Sequence, residues 1–407
     1  MDLSYGISAE IDLYGRGELS SYISSYTTGD EIRGVVVFEP SYNVRFDDIQ
    51  ISFIGEQNAH KDYHQFLNIV QFLSVEEEIL HRNQKYLFDF IFQVPDILPQ
   101  SSCIHTSAAA IVKAAHIRPP PSFGDATTSG FGGKLRDDFA PTGCQISYFI
   151  QFQVNRFNSL SRRGEPLFMK RQKLRIKPAL DGNLMGSHPD LVRNEYCLPR
   201  GVKTIYATGK RQNRAESVLG QFSVSIDEPI RIWLPSRDPH LLISQTARLT
   251  LFYQPCNSGS NSAATTLPPE LQSFESQIVA TTFFTGGTDA TNGVCYQPLA
   301  KREFLGQPMN FYDKRFPPFL REIPRTLRWD YQAETGAYTA SLQVPVTLPR
   351  ENFIPTFHSC LISRVYALKC KVKLKGGSGV INLIVPLIIS AKRNSAALPS
   401  YDASIAG

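Results

Sequence analysis

The chain has 407 residues, of which 42% are hydrophobic and 19% charged, with 27 glycines and 27 prolines. That length suits two ordinary domains with their own cores, and the composition excludes wholesale disorder, collagen and coiled coil. A formal charge of +5 falls short of the concentrated basic charge of a dedicated nucleic-acid binder, and 26 Phe and 17 Tyr against 4 Met lean towards strands.

Along the chain the dominant period is two, the repeat of a strand whose side chains alternate between faces. EIRGVVVFEP at 31–40 and DIQISFIGE at 48–56 open the series. VQFLSVEEEILHRNQ at 70–84 mixes acidic and apolar positions and is the one candidate helix. In YLFDFIFQV the residues Tyr86, Phe88, Phe90, Phe92 and Val94 share a side. In QISYFIQFQV, Ile146, Tyr148, Ile150, Phe152 and Val154 face one way and Gln145, Ser147, Gln151 and Gln153 the other, which predicts a sheet with one wet face. Beyond residue 222 come FSVSIDEPIRIWLP, ARLTLFYQP and AYTASLQVPVTLP. Next, YALKCKVKLK alternates Tyr366, Leu368, Cys370, Val372 and Leu374 with Lys369, Lys371, Lys373 and Lys375, and VINLIVPLII closes the series.

Most runs end in Gly, Pro, Asp or Asn, as turns require. Many short strands with little helix predict an all-β protein of two tandem antiparallel β-sandwiches, immunoglobulin-like in architecture. Strand signals thin between 179 and 215, where Gly182, Gly186, Pro189, Pro199 and Gly201 suit a connector. The expected layout is a first sandwich over 1–178, a linker over 179–215, a second sandwich over 216–392 and a short tail over 393–407. CNSGSNSAATTLPPE at 256–270 reads as an exposed loop of the second sandwich.

Seven cysteines, Cys103, Cys144, Cys197, Cys256, Cys295, Cys360 and Cys370, never fall as C-x-x-C, so reduced thiols in a cytosolic protein are expected rather than a disulfide framework or zinc ribbon. The start, MDLSYGISAEIDLYG, lacks the basic and apolar regions of a secretory signal. The apolar run at 380–390 is about half of the ~20 residues that span a bilayer. The expected location is cytoplasmic, with at most peripheral contact with membranes.

The densest cationic run is KRQKLRIK, where Lys170, Arg171, Lys173, Arg175 and Lys177 sit near the end of the first sandwich and are candidates for holding phosphate. The lysines at 369–375 are a second candidate, although alternating lysines are also what the solvent face or edge of a sheet carries. His60 and His64 would share a helix face but lack a third ligand, so no metal is expected, and no cofactor. His116 and His358 read as packing or capping residues, and Asp137-Asp138 as a loop-stabilising pair. GFGGKL at 130–135 lacks the P-loop spacing, and neither G-x-S-x-G nor H-E-x-x-H occurs.

GDEIRGVVVFEPSYNVRFDDIQISFIGE resembles the first strands of the arrestin amino-terminal domain, and YLFDFIFQVPDILPQS its F-x-F-x-x-P-x-x-L-P pattern. HIRPPPSFGD followed by DDFAPTGCQISYFIQFQV is similar to fungal arrestin-like proteins. NFIPTFHSCLISRVYALKCKVKL resembles the P-T-F…I-S-R-x-Y-x-L strand pair of the arrestin carboxy-terminal domain, in which Arg364 and Tyr366 are strand residues with a structural role. The resemblance implies a non-enzymatic cytosolic adaptor or scaffold that docks on a membrane protein's cytosolic tail or a phosphorylated peptide. Related adaptors recruit ubiquitin ligases through Pro-Pro-x-Tyr tails. Here Pro119-Pro120-Pro121, Pro268-Pro269 and Pro317-Pro318 lack the tyrosine, and LPSY at 398–401 supplies only half the motif. The alternative is a cofactor-independent cyclase or pericyclase, such as an intramolecular Diels–Alderase, acting on an apolar fungal terpenoid or polyketide. An aromatic-lined cleft between the domains would hold its substrate, since folding a substrate into a reactive conformer needs no nucleophile.

Overall fold

A computed structural model describes residues 7–14, 25–75, 78–105, 110–125, 138–158, 163–179, 202–210, 216–226, 230–234, 243–256, 267–285, 310–321, 327–349, 353–375 and 380–392. The first half contributes β1 (Ile7–Leu13), β2 (Ser25–Tyr26), β3 (Glu31–Pro40), β4 (Val44–Arg45), β5 (Asp48–Ala59), β6 (Asp62–Leu73), β7 (Ile79–Leu80) and β8 (Tyr86–Gln93). A short 3-10 turn at Gln100–Ser102 and helix α1 (Ala110–His116) precede β9 (Cys144–Asn158) and β10 (Arg163–Ile176). The second half contains β11 (Val202–Lys210), β12 (Glu216–Ser225), β13 (Ile230–Leu234), β14 (Ser244–Pro255), β15 (Leu271–Phe284), β16 (Asn310–Arg315) and β17 (Phe319–Arg321). It ends with β18 (Asp330–Gln332), β19 (Ala337–Thr347), β20 (Phe357–His358), β21 (Ile362–Leu374) and β22 (Val380–Ala391).

The chain is all-β, two sandwiches in tandem. In the first, the sheet β1-β3-β8 lies over β2-β10-β9-β5-β6. Val36 and Phe38 from one sheet meet Ile51, Phe53, Ile150 and Phe152 from the other in a single core. The Phe38 and Phe152 ring centroids are 5.3 Å apart. In the second, β11-β12-β14-β19-β18 lies over a seven-stranded sheet with the path β13-β22-β21-β15-β16. Here Phe222, Leu251 and Val344 face Phe274, Leu368 and Val385. Among the described strands pairing is antiparallel except at two edges, where β2 runs parallel to β10 and β13 parallel to β22, and a single parallel bridge joins Ala179 to Ala391.

The alternating runs place their apolar residues inward: Ile146, Tyr148, Ile150, Phe152 and Val154 are fully buried, as are Tyr366, Leu368, Cys370, Val372 and Leu374. The other face of β9 is not wet. Ser147, Phe149 and Gln151 are buried there, because neighbouring polar side chains cover them. Gln151 donates to Gln153 at 2.8 Å, Gln153 to Asn155 at 2.5 Å and Asn155 to Asp48 at 2.7 Å. This amide ladder satisfies groups that burial would otherwise penalise.

Among the described residues of 70–84 no helix forms. Residues up to 73 continue β6, zipped to β5 from Ala59↔Asp62 to Ile49↔Leu73, and 79–80 form β7. Cross-strand pairing outweighs the local helical tendency of a mixed acidic and apolar run. Residues 202–210, within the expected connector, form β11 at the edge of a sheet, paired with β12. Most of the 256–270 patch lies outside the described residues, as do GFGGKL and Asp137.

The Pro-rich segment before β9 is interior. The Tyr148 hydroxyl donates to the Pro120 carbonyl at 2.6 Å, and Ser122 and Ile176 exchange two hydrogen bonds of 2.9 Å. Gly124 then turns the chain at a φ of 67°, a value glycine adopts freely.

Candidate functional site

Strand β10 borders the first sandwich: β2 covers only Arg175 and Ile176. Alternation divides the five predicted cations. Leu174 and Ile176 point into the core, so Arg171, Lys173, Arg175 and Lys177 share the outer face, while Lys170 lies on the core side, at an edge with no strand beside it among the described residues, and is exposed.

Each cation of the outer face has a distinct environment. Arg171 stacks its guanidinium 4.2 Å from the Phe149 ring centroid, donates Nε to Gln151 Oε1 at 2.8 Å, and stands 3.9 Å from Glu56. Lys173 Nζ lies 2.8 Å from Asp125 Oδ2, a buried carboxylate that also accepts from the Ser147 hydroxyl at 3.0 Å. Arg175 is half-buried. Burial lowers its hold on the proton, and the Asp138 carboxylate opposes that effect. Lys177 is pulled down to about 8, first by burial and then by repulsion from Arg175. Two crowded cations, of which Arg175 has a carboxylate beside it, would gain from a further anion.

Asp138 belongs to a strap that joins the sandwiches. Its Oδ2 accepts from the Gly124 N–H at 2.7 Å and its Oδ1 from the Ala140 N–H at 3.2 Å, the loop-stabilising role expected of it. Phe139 follows with a φ of 59°, and its ring enters the core of the second sandwich, edge-on to Phe316 at 5.1 Å. From β21, Arg364 reaches back: Nη1 donates to the Asp138 carbonyl at 3.1 Å, Nη2 to the Phe139 carbonyl at 2.8 Å, and Nε to the Thr282 hydroxyl at 2.8 Å. Arg364 is 1% exposed, and its guanidinium lies 4.8 Å from the Phe123 ring centroid. Tyr366 is a core residue whose hydroxyl donates to the Ile354 carbonyl at 3.0 Å. The strand-residue reading of Arg364 and Tyr366 thus misses that Arg364 clamps a strap from the other half of the chain.

The remaining sequence candidates lie elsewhere. β21 is an interior strand, so its lysines line the solvent face of the second sandwich; Lys375 pairs with Glu270 at 2.7 Å and both are exposed. His60 sits at the β5–β6 turn with a φ of 55°, and His64 in β6 meets the Gln57 amide at 2.8 Å, so the two share no helix. Gln57 also accepts from the Ser359 hydroxyl at 2.6 Å, another link between the halves. His116 does face a chemical group: with Cys103, His105 and Cys360 it forms the one set of metal-ligand residue types gathered among the described residues. Sequence spacing missed both this set and the strap, because each is assembled from segments more than 200 residues apart.

Residues 325–392 match the family model described as the Bul1 C terminus. The match takes in β18 to β22, Arg364 included, and supports an arrestin-like protein. No curated protein matches the chain. Among the described residues no helix is long and apolar enough to cross a membrane.

Proposed function

We propose that this chain is an arrestin-like adaptor, working in the cytoplasm, that docks a phosphorylated tail of a membrane protein along the outer face of β10. The similarity to the Bul1 C terminus supports an adaptor role. The observation that carries the phosphate reading is Arg175, beside the carboxylate of the strap that Arg364 clamps, with Lys177 crowded against it. A phosphate has the geometry to pair with guanidinium and ammonium together, and it would compete with Asp138 for Arg175. Binding of the tail and loosening of the strap would then be one event. Lys173, whose partner Asp125 is a separate carboxylate, would extend the same track, and Lys170 would flank it from the sheet edge.

Among the described residues nothing favours the cyclase. Its substrate cleft would be walled by aromatics between the sandwiches, and Phe123, Phe139, Phe284, Phe316 and Phe357 at that junction are buried against protein.

Titration of phosphorylated and unphosphorylated tail peptides, read by fluorescence anisotropy at low and physiological salt, tests the adaptor reading. Arg175→Gln is expected to weaken the phosphopeptide about tenfold, equal to ~1.4 kcal/mol, and Lys170→Gln to change it little. Asp138→Asn, which removes the competing charge, is expected to tighten it. Equal affinity for both peptides would end the phosphate reading.

A further inference from the structure

We propose that Cys103, His105, His116 and Cys360 bind one structural zinc ion that clasps the first sandwich to the second. Cys103 and His105 follow the 3-10 turn, His116 ends α1, and Cys360 lies between β20 and β21, 244 residues after His116. The four ligand atoms all lie within 4.8 Å of one another. His116 Nδ1 is 3.7 Å from Cys103 Sγ and 3.8 Å from Cys360 Sγ, and His105 Nδ1 is 3.9 Å from Cys103 Sγ. Zinc–sulfur and zinc–nitrogen bonds of about 2.3 and 2.0 Å, set tetrahedrally, put neighbouring sulfur and nitrogen ligands about 3.6 Å apart. These three pairs therefore need to close by only a few tenths of an ångström, and the other pairs of the quartet, all within 4.8 Å, by about 1.5 Å at most.

The donor chemistry is selective. Two sulfurs with two imidazoles suit zinc over magnesium or calcium, which take oxygen ligands. Four protein donors leave no open position, the mark of a structural rather than a catalytic site. His116 and Cys360 are buried and form the floor, while Cys103 and His105 are only partly covered, so an ion has a route in. Surrounding groups orient the sulfur: Cys360 Sγ lies 3.9 Å from the Ser102 carbonyl, and the Ile104 backbone bonds to the same thiol.

The test uses the full chain, purified under reducing conditions without chelator. Metal analysis is expected to find about one zinc per chain, and titration with Zn²⁺ alone to restore that content after chelation. Cys103→Ser and His105→Asn alter the partly covered ligands, so the fold should persist, and each is expected to abolish stoichiometric zinc. Replacing zinc with Co²⁺ should produce thiolate-to-cobalt charge-transfer absorption that Cys103→Ser removes. A chelator should lower the melting temperature of the parent protein and leave that of Cys103→Ser unchanged. Three results would each overturn the proposal: failure of the parent chain to take up Zn²⁺, zinc content indifferent to both substitutions, or mass mapping that finds Cys103 and Cys360 joined as a disulfide. None of these outcomes bears on the phosphopeptide titration.

Discussion

Phe139 offers a quantitative probe of the strap. Its φ of 59° is one that residues with a Cβ adopt at a cost of about 1–2 kcal/mol. What holds it there is visible: the ring packs edge-on to Phe316, Lys314 Nζ lies 5.0 Å from its centroid, and Arg364 grips its carbonyl. Truncation to alanine forfeits the ring, a loss of about 3–5 kcal/mol at a buried phenylalanine, and keeps the backbone strain. Truncation to glycine forfeits the same ring and releases the strain, against an unfolded-chain entropy cost of about 0.4–1 kcal/mol. Phe139→Gly should therefore be more stable than Phe139→Ala by about 0.5–1 kcal/mol, whereas in ordinary helix or strand glycine is the worse residue by a similar amount. Urea unfolding followed by tryptophan fluorescence suits the measurement, since Trp233 and Trp329, the only tryptophans, both lie in the second half, whose core receives the ring. An alanine variant as stable as the glycine variant, or more so, would refute the account of the strap as strained and clamped.

Two further outcomes follow from the same geometry. Folding lowers the Lys177 proton affinity to about 8, so the charge is present at pH 7 and lost as pH rises through 8. Phosphopeptide affinity should fall between pH 7 and 9, and Lys177→Arg, which stays charged, should flatten that fall; a fall unchanged in Lys177→Arg would remove Lys177 from the site. In the absence of peptide, stability should rise across the window from about 8 to 10.5, where the unfolded chain binds the proton that the folded chain has released. In β21, Val372→Ala should cost about 1.5–3 kcal/mol and Lys373→Ala within about 0.5 kcal/mol, since one is fully buried and the next exposed. Comparable losses in thermal melts of the two variants would mean that the faces of the strand are misassigned.

Much of the fold was legible in the residues because a strand writes its own signal. The alternation at 86–94, 145–154 and 366–375 arises within single segments, and each placed its apolar side inward as expected. Legibility failed where neighbours decide. Val70 to Leu73 became strand because β5 lies beside them and Ile79 and Leu80 because β4 does, and the polar face of β9 was covered because Arg171 and an amide ladder close over it. The short α1 carried no repeat long enough to notice. The five cations at 170–177 were visible as a run, yet only pairing in the sheet could divide them, four to the outer face and Lys170 to the other. The strap lay beyond any local pattern, and the metal-ligand quartet joins three residues within one short segment, Cys103, His105 and His116, to a distant fourth, Cys360. Arg364 meets the Phe139 carbonyl across 225 residues and Cys360 meets His116 across 244, and such contacts exist only after two cores have formed and docked. By itself the sequence determined two β-sandwich cores, because burying an alternating stripe is a local demand. The tertiary structure alone decided which distant side chains converge, because convergence depends on how those cores are joined.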